Sequence, residues 1–123
     1  MKKIIIDTNA WMALAEFKLD ILSALADCCD FKYQLIVLSG TITELNHILE
    51  EQRGRFKSAA RLALQIIKTK NITILPRVGE VDEVLVKCSQ SGDLVLTQDL
   101  GLKRRLTKPY LTIRQKNRIV QIR

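Results

Sequence analysis

The chain has 123 residues, of which 47% are apolar, with only five glycines and two prolines. This composition fits a single globular domain over residues 1–123 and excludes disordered, collagen-like and linker proteins. The formal net charge of +7 favours a polyanionic partner, and the excess is confined to residues 101–123, which contain eight Lys or Arg residues and no acid.

The cysteines and the hydropathy pattern indicate a soluble, cytoplasmic protein. The chain has an odd number of cysteines, and no two of them have the spacing of metal ligands: Cys28, Cys29 and Cys88. We therefore expect free thiols in a reducing compartment. The apolar run at residues 4–6 is too short for an export signal. No run reaches the length of a membrane span, so we expect no membrane partner.

The first half of the chain alternates between apolar strands and helices. Residues 2–6 predict a buried strand, because three isoleucines follow one another before Asp7. Apolar residues recur at spacings of three and four over residues 9–28, which indicates two short helices separated near residues 16–19. A second strand is predicted at residues 35–38, and the Ser39-Gly40-Thr41 sequence is expected to cap the helix that follows.

The alternation continues to the C-terminus. Residues 56–67 predict an amphipathic helix whose apolar face contains Phe56, Ala59, Ala60, Ala63 and Ile67. Strands are predicted at 72–75, 94–97 and 110–113, helices at 81–88 and 100–106, and a sixth strand or a tail at 118–123. Short apolar strands alternating with helices indicate an α/β fold, a three-layer α/β/α sandwich with a central parallel sheet of about five strands.

Acidic residues follow four of the predicted strands. Asp7 ends the first strand, Glu44 lies early in the helix after the second, Asp82 begins the helix after the third, and Asp99 follows the fourth. Because the strands of a parallel sheet point the same way, these junctions open on one edge, where ligands bind. We therefore expect the four carboxylates to converge.

Clustered carboxylates repel one another unless a cation neutralises them or they take up protons. Mg²⁺ and Mn²⁺ bind oxygen ligands of this kind. An acidic metal site in a chain with a basic C-terminal segment predicts a metal-dependent nuclease, in which the ion activates water and basic side chains hold the strand. Each acid alone has an alternative interpretation as a helix cap, but the combination at four junctions favours a site.

Four short motifs resemble the PIN domain, a nuclease domain named after the PilT N-terminus. Ile5-Ile6-Asp7-Thr8-Asn9 resembles the start of that domain, and Thr43-Glu44-Leu45 resembles its second acidic motif. The third motif of the family is similar to Val81-Asp82-Glu83-Val84-Leu85-Val86 in this chain. The fourth is similar to Leu94-Val95-Leu96-Thr97-Gln98-Asp99. The resemblance covers essentially the whole chain in the correct order.

The resemblance implies an endoribonuclease that uses Mg²⁺ or Mn²⁺ and leaves 5′-phosphate and 3′-hydroxyl ends. It assigns catalysis and metal binding to four acids, with three polar residues in support: Asp7, Glu44, Asp82 and Asp99, with Thr8, Asn9 and Thr97. The interval from Asp82 to Asp99 is slightly short for the family, so Glu83 is the alternative metal ligand to Asp82.

The subfamily has two interpretations. The size and the acids are similar to those of VapC toxins, which would have an antitoxin protein as partner. The sequence Ile113-Arg114-Gln115-Lys116-Asn117-Arg118 is instead similar to PIN nucleases of rRNA processing. The resemblance also implies a homodimer, because small PIN proteins often pair.

The basic C-terminal segment, residues 101–123, predicts the RNA-binding surface. Five of its residues are expected to contact phosphates: Lys103, Arg104, Arg105, Lys108 and Arg114. For any one of them the alternative is a solvated position on the surface. The uneven distribution of charge favours RNA contact for the group.

Two other functions remain as alternatives. A phosphatase with a nucleophilic aspartate would resemble haloacid-dehalogenase-like enzymes, which have a second acid where this chain has Asn9. A non-catalytic RNA-binding or assembly protein could keep the fold without the chemistry. A nucleotide-binding Rossmann or P-loop protein is excluded, because no glycine-rich loop follows the first strand.

Overall fold

A computed structural model describes all 123 residues and contains six strands and six helices. In chain order they are β1 (Lys2–Ile6), α1 (Thr8–Glu16), α2 (Ile21–Cys28), β2 (Tyr33–Leu38), α3 (Ser39–Glu51), α4 (Gly54–Thr69), β3 (Thr73–Leu75), α5 (Val81–Gln90), β4 (Leu94–Leu96), α6 (Leu100–Arg105), β5 (Tyr110–Arg114) and β6 (Arg118–Ile122). None of the helices combines the length and apolarity that a membrane crossing requires.

The strands form one sheet in the order β3-β2-β1-β4-β5-β6. Strands β2 and β3 lie on one side of β1, and the chain then crosses to the other side of β1 to form β4 and β5. In sheets of this kind a crevice forms at the carboxyl ends of the strands where the order reverses. That point lies here between β1 and β4, so Asp7 and Asp99 follow the two strands that flank it.

The last strand extends the predicted parallel sheet of about five strands and resolves the alternative of a sixth strand or a tail. The sheet has six, and β6 runs antiparallel to β5, pairing Tyr110 with Ile122 at one end and Arg114 with Arg118 at the other. The connection is short, with the turn residues Gln115 and Lys116 at φ 56° and 61°. A turn of this length reverses the chain, whereas a parallel neighbour needs a long crossover.

The sheet separates two apolar layers, which confirms the α/β/α sandwich. Ile4 and Ile6 face a large core packed against α1, α2 and α4, and Ile5 faces a smaller core packed against α5 and α6. Side chains alternate between the two faces of a strand, so three consecutive isoleucines serve both cores. Both faces of β1 are therefore covered, as expected for a parallel sheet.

Two local predictions are wrong. The Ser39-Gly40-Thr41 sequence does not cap α3, because the helix begins at Ser39 itself and the residue at the cap position, Leu38, offers no side-chain hydrogen bond. Phe56 does not belong to the buried face of α4, since it is 46% exposed. The buried face of α4 is formed by small residues further along the helix and by Ile67.

Candidate active site

A cavity of about 630 Å³ lies beside the carboxyl ends of β1 and β4, where the strand order reverses. All four acids that the sequence predicted to converge line it: Asp7, Glu44, Asp82 and Asp99. They come from four separate elements, at the starts of α1, α5 and α6 and in the second turn of α3. The convergence therefore results from the sheet topology.

Asp7 lies deepest among these acids. It is only 4% exposed and caps the N-terminus of α1, where its Oδ1 accepts a hydrogen bond of 2.7 Å from the Thr8 backbone N–H. Its Oδ2 accepts a hydrogen bond of 2.8 Å from the Thr97 hydroxyl. Each oxygen of the carboxylate is thus held by one donor, which fixes its orientation at the bottom of the cavity.

Thr97 joins the ends of β1 and β4. Its hydroxyl donates to Asp7 and accepts a hydrogen bond of 3.1 Å from the Asp99 backbone N–H. The Oδ1 atom of Asn9 accepts a hydrogen bond of 3.1 Å from the Gln98 backbone N–H. The residues predicted to support the site therefore connect the two acids at the crevice.

Burial raises the pKa of Asp7 from 3.8 to about 6. The hydrogen bonds from Thr97 and Thr8 oppose this shift, and the negative charges of Asp82 and Glu44 add to it. The contribution of these two charges reflects the proximity of the three carboxylates, which repel one another when ionised.

The other three acids are exposed and have different supports. Glu44 accepts a short hydrogen bond from the Thr8 hydroxyl through its Oε1 atom. Asp99 caps α6, because its Oδ1 accepts a hydrogen bond of 3.1 Å from the Leu102 backbone N–H. The capping interpretation therefore holds for both Asp7 and Asp99, and both still line the cavity.

Asp82 and Glu83, the two alternatives for the third acid, point in different directions from α5. Asp82 lines the cavity, whereas Glu83 does not. The Oε1 atom of Glu83 lies 2.7 Å from Nη2 of Arg105 in an ion pair. Neighbouring residues on a helix point about 100° apart, and here Asp82 faces the cavity while Glu83 faces α6.

None of the five predicted RNA-binding residues lines the cavity. Arg105 is paired with Glu83, whereas Arg104, Lys108 and Arg114 are exposed without an ion-pair partner. The pKa of the half-buried Lys103 is lowered by burial and by the charge of Arg114, and the charge of Asp99 opposes this shift. These residues lie outside the cavity, on the α6 and β5 side.

The cavity wall also includes residues that the sequence analysis did not select. Met12 and Glu16 follow Thr8 at intervals of four along α1, and His47 and Ile48 follow Glu44 at intervals of three and four along α3. Residues with these spacings share one face of a helix. These residues could have been identified from the sequence by following the helix faces that contain Thr8 and Glu44 for one or two further turns.

The lining suits a hard cation. It contains five carboxylates and His47 but no Lys or Arg that could neutralise them. As the side chains stand, no three acidic, His or Cys side chains are close enough to enclose a metal ion. Mg²⁺ commonly keeps several water ligands and is held by one or two carboxylates, so an open acidic site is compatible with it.

Comparison with known proteins agrees with the fold and the four motifs. Residues 4–116 match the profile of the PIN-like domain. The chain is 27% identical over 124 residues to Ribonuclease VapC4 of Methanocaldococcus jannaschii, a match that covers 94% of this chain and 93% of that protein.

Solved structures show the same architecture. The PIN domain endonuclease Utp24 is 27% identical with a TM-score of 0.77, over 98% of this chain and 91% of that one. Human GEN1 in complex with Holliday junction DNA is 15% identical with a TM-score of 0.51, over 98% of this chain and 38% of that one, and shares the fold alone. The sequence match over residues 4–116 and the shared architecture show that the chain belongs to the PIN-like domain family.

Proposed function

We propose that the protein is a metal-dependent endoribonuclease that hydrolyses RNA phosphodiesters in the acidic cavity. The observation that carries the proposal is the convergence of four carboxylates from four elements around one cavity that contains no Lys or Arg. A site of this composition attracts divalent cations, and a cation is what an approaching phosphate requires there.

The named relatives support the same chemistry. Two proteins that are each 27% identical to this chain are named as a ribonuclease and as a PIN domain endonuclease. Both names describe a nuclease: the first specifies RNA as the substrate, and the second specifies cleavage within the strand. The proposal combines the two as cleavage of RNA within the strand and names no particular RNA.

The residues have separate tasks in this mechanism. Asp82, Asp99 and Glu44 are exposed in the cavity, and one or two of these carboxylates would hold the ion together with its water ligands; the ion when bound supplies charge stabilisation and an activated water. Hydrogen bonds from Thr8 and Thr97 fix Asp7, whose carboxylate lies beneath the other three acids. The basic residues of α6 lie next to Asp99, where they would hold the strand by its phosphates.

The test is cleavage of a panel of labelled RNAs with Mn²⁺, with Mg²⁺ and with EDTA. We expect metal-dependent cutting that leaves 5′-phosphate ends. The rate should fall by about 100-fold or more in Asp99→Asn, because that change removes a negative charge at constant shape. This is the order of magnitude found for single groups that stabilise charge in a transition state. Asp93→Asn is the matched control, because Asp93 precedes β4 and lies outside the cavity. Equal rates in the two variants would contradict the assignment.

The basic surface has its own test, in which RNA binding is measured in EDTA. Changing Lys103 and Arg104 to Glu should weaken binding and reduce the slope of log K against log salt by about 1 for each phosphate that is no longer neutralised. The double variant of Lys68 and Lys70, at the far end of α4, is the control. An unchanged slope would remove the α6 surface from RNA binding.

A further inference from the structure

The cavity has an apolar end as well as an acidic end. From the acids it extends to a wall formed by Met12 of α1, Ile48 of α3 and Phe56 of α4. Phe56 is 46% exposed and is the only Phe, Tyr or Trp side chain that lines the cavity. The guanidinium of Arg55 lies 5.2 Å from the centre of its ring.

The fold does not require a phenylalanine here. The helices around α4 contact it through a face of buried small residues and Ile67: Ala59, Ala60, Ala63 and Ile67. Phe56 lies in the first turn of α4, beyond the buried part of that face, and leaves about half of its surface in water. An exposed ring that forms part of the wall of an acidic cavity is therefore a candidate contact for a ligand.

We propose that Phe56 and Arg55 form a stacking platform for one unpaired nucleobase of the RNA, beside the nucleotide whose phosphate lies at the acids. The inference rests on the proposed function, because it places the scissile phosphate at the acidic end. Nucleobases stack on aromatic rings and on guanidinium planes, and this contact tolerates any base. The enzyme would then select unpaired nucleotides rather than a particular sequence.

The dimensions of the cavity allow this arrangement. Its volume of about 630 Å³ lies within the range of sites that hold small organic ligands, roughly 300–1,000 Å³. Thr8, beside Asp7, and Met12, on the apolar wall, are separated by one turn of α1, an axial rise of about 6 Å. A base attached next to a phosphate at the acids is therefore within reach of the wall.

The charges around the platform favour RNA over a protein segment. Helix α4 contains no acidic residue, and Arg53, Arg55 and Lys57 surround Phe56 in sequence. Arg55 is also 3.9 Å from Glu16, and both side chains of this pair are well exposed. Such a pair is weak, so Glu16 does not prevent Arg55 from stacking against a base.

The experiment combines an altered base with an altered platform. An RNA that the wild type cuts is prepared with a single abasic nucleotide at each position near the cut. We expect one position at which the missing base lowers kcat/KM roughly tenfold, the order expected for one base–aromatic stack. Phe56→Ala should show the same loss on the intact RNA and no further loss at that abasic position.

Further variants separate stacking from apolar packing. Phe56→Tyr should retain activity, and Phe56→Leu should behave like Phe56→Ala if the contact is a stack. Leu22→Ala is the matched control, because Leu22 is 44% exposed on α2 and lies outside the cavity. Full activity in Phe56→Leu, or additive losses from Phe56→Ala and the abasic position, would overturn the platform and leave the wall to an apolar protein segment.

The two proposals fail in different ways. If the wild type cuts RNA and Phe56→Ala cuts it equally well, the platform is wrong and the nuclease stands. If the wild type cuts no RNA, the nuclease is wrong, and the platform is decided by fluorescence anisotropy of a short unpaired oligoribonucleotide. Weaker binding by Phe56→Ala than by Leu22→Ala would then support it, and equal binding would overturn it.

Discussion

Removing the charge of Asp7 should make the metal-free protein more stable at neutral pH. The Asp7 carboxylate is 4% exposed, and burial raises its pKa from 3.8 to about 6. A raised pKa means that the folded protein disfavours the ionised form relative to the unfolded chain. Asp7→Asn keeps the shape of the side chain and removes the charge that is disfavoured.

The size of the effect follows from the pKa. A rise from 3.8 to about 6 corresponds to about 3 kcal/mol of destabilisation at a pH above both values. The hydrogen bonds from Thr97 and Thr8 are already part of this shift, because each favours the ionised form and lowers the pKa. An Asn side chain that packs like the protonated carboxyl would therefore gain at most about 3 kcal/mol, and each 1 kcal/mol gained corresponds to roughly 4 °C in the melting temperature.

The effect of pH has a definite sign. Because the pKa of Asp7 is raised in the folded state, the wild type loses stability from this group as the pH rises through the interval from 3.8 to about 6. Below 3.8 the group is protonated in both states and the penalty is absent. The advantage of Asp7→Asn should be complete at about pH 8 and should shrink towards about pH 4.

Thermal unfolding in EDTA at about pH 8, 6 and 4 measures this difference. Asp27→Asn, which changes an exposed carboxylate on α2, is the control and should not follow the same pH dependence. Saturating Mn²⁺ at the highest pH should reverse the order, because the wild type binds the ion more tightly. A variant that melts below the wild type in EDTA, or a difference that does not change with pH, would refute the picture of mutually repelling acids.

Three further predictions concern the supports of the site. Thr97→Val should destabilise the protein by about 1–3 kcal/mol in urea unfolding, because it leaves the Oδ2 atom of buried Asp7 without a donor; a smaller loss would mean that water replaces the hydroxyl. Gly40→Ala places a methyl group 2.8 Å from Cγ2 of Val81 and should displace the start of α5, lowering Mn²⁺ affinity in calorimetry; unchanged affinity would exclude the displacement. Mn²⁺ at about 100 times its Kd should stabilise the wild type by about 2.7 kcal/mol and leave Asp99→Asn nearly unchanged, and an equal shift would place the ion elsewhere.

Four of the five acidic residues of the cavity were predictable because their signals are local. Asp7 and Asp99 each follow an apolar strand closely, and Glu44 and Asp82 lie near the starts of helices. The direction of parallel strands then brings them to one edge. The apolar wall was not predictable in the same way, since Phe56 continues the spacing of a buried face and only its position at the end of α4 exposes it.

Local sequence patterns were sufficient to specify the order of strands and helices, the two-sided burial of the sheet and the set of acids at strand ends. These features follow from apolar spacing and chain direction, which neighbouring residues specify. Long-range packing settled the crossing between β1 and β4, the antiparallel pairing of β6, and the turning of Asp82 to the cavity while Glu83 pairs with Arg105. Each of these depends on interactions between residues far apart in the chain, whose choice among competing partners no local pattern specifies.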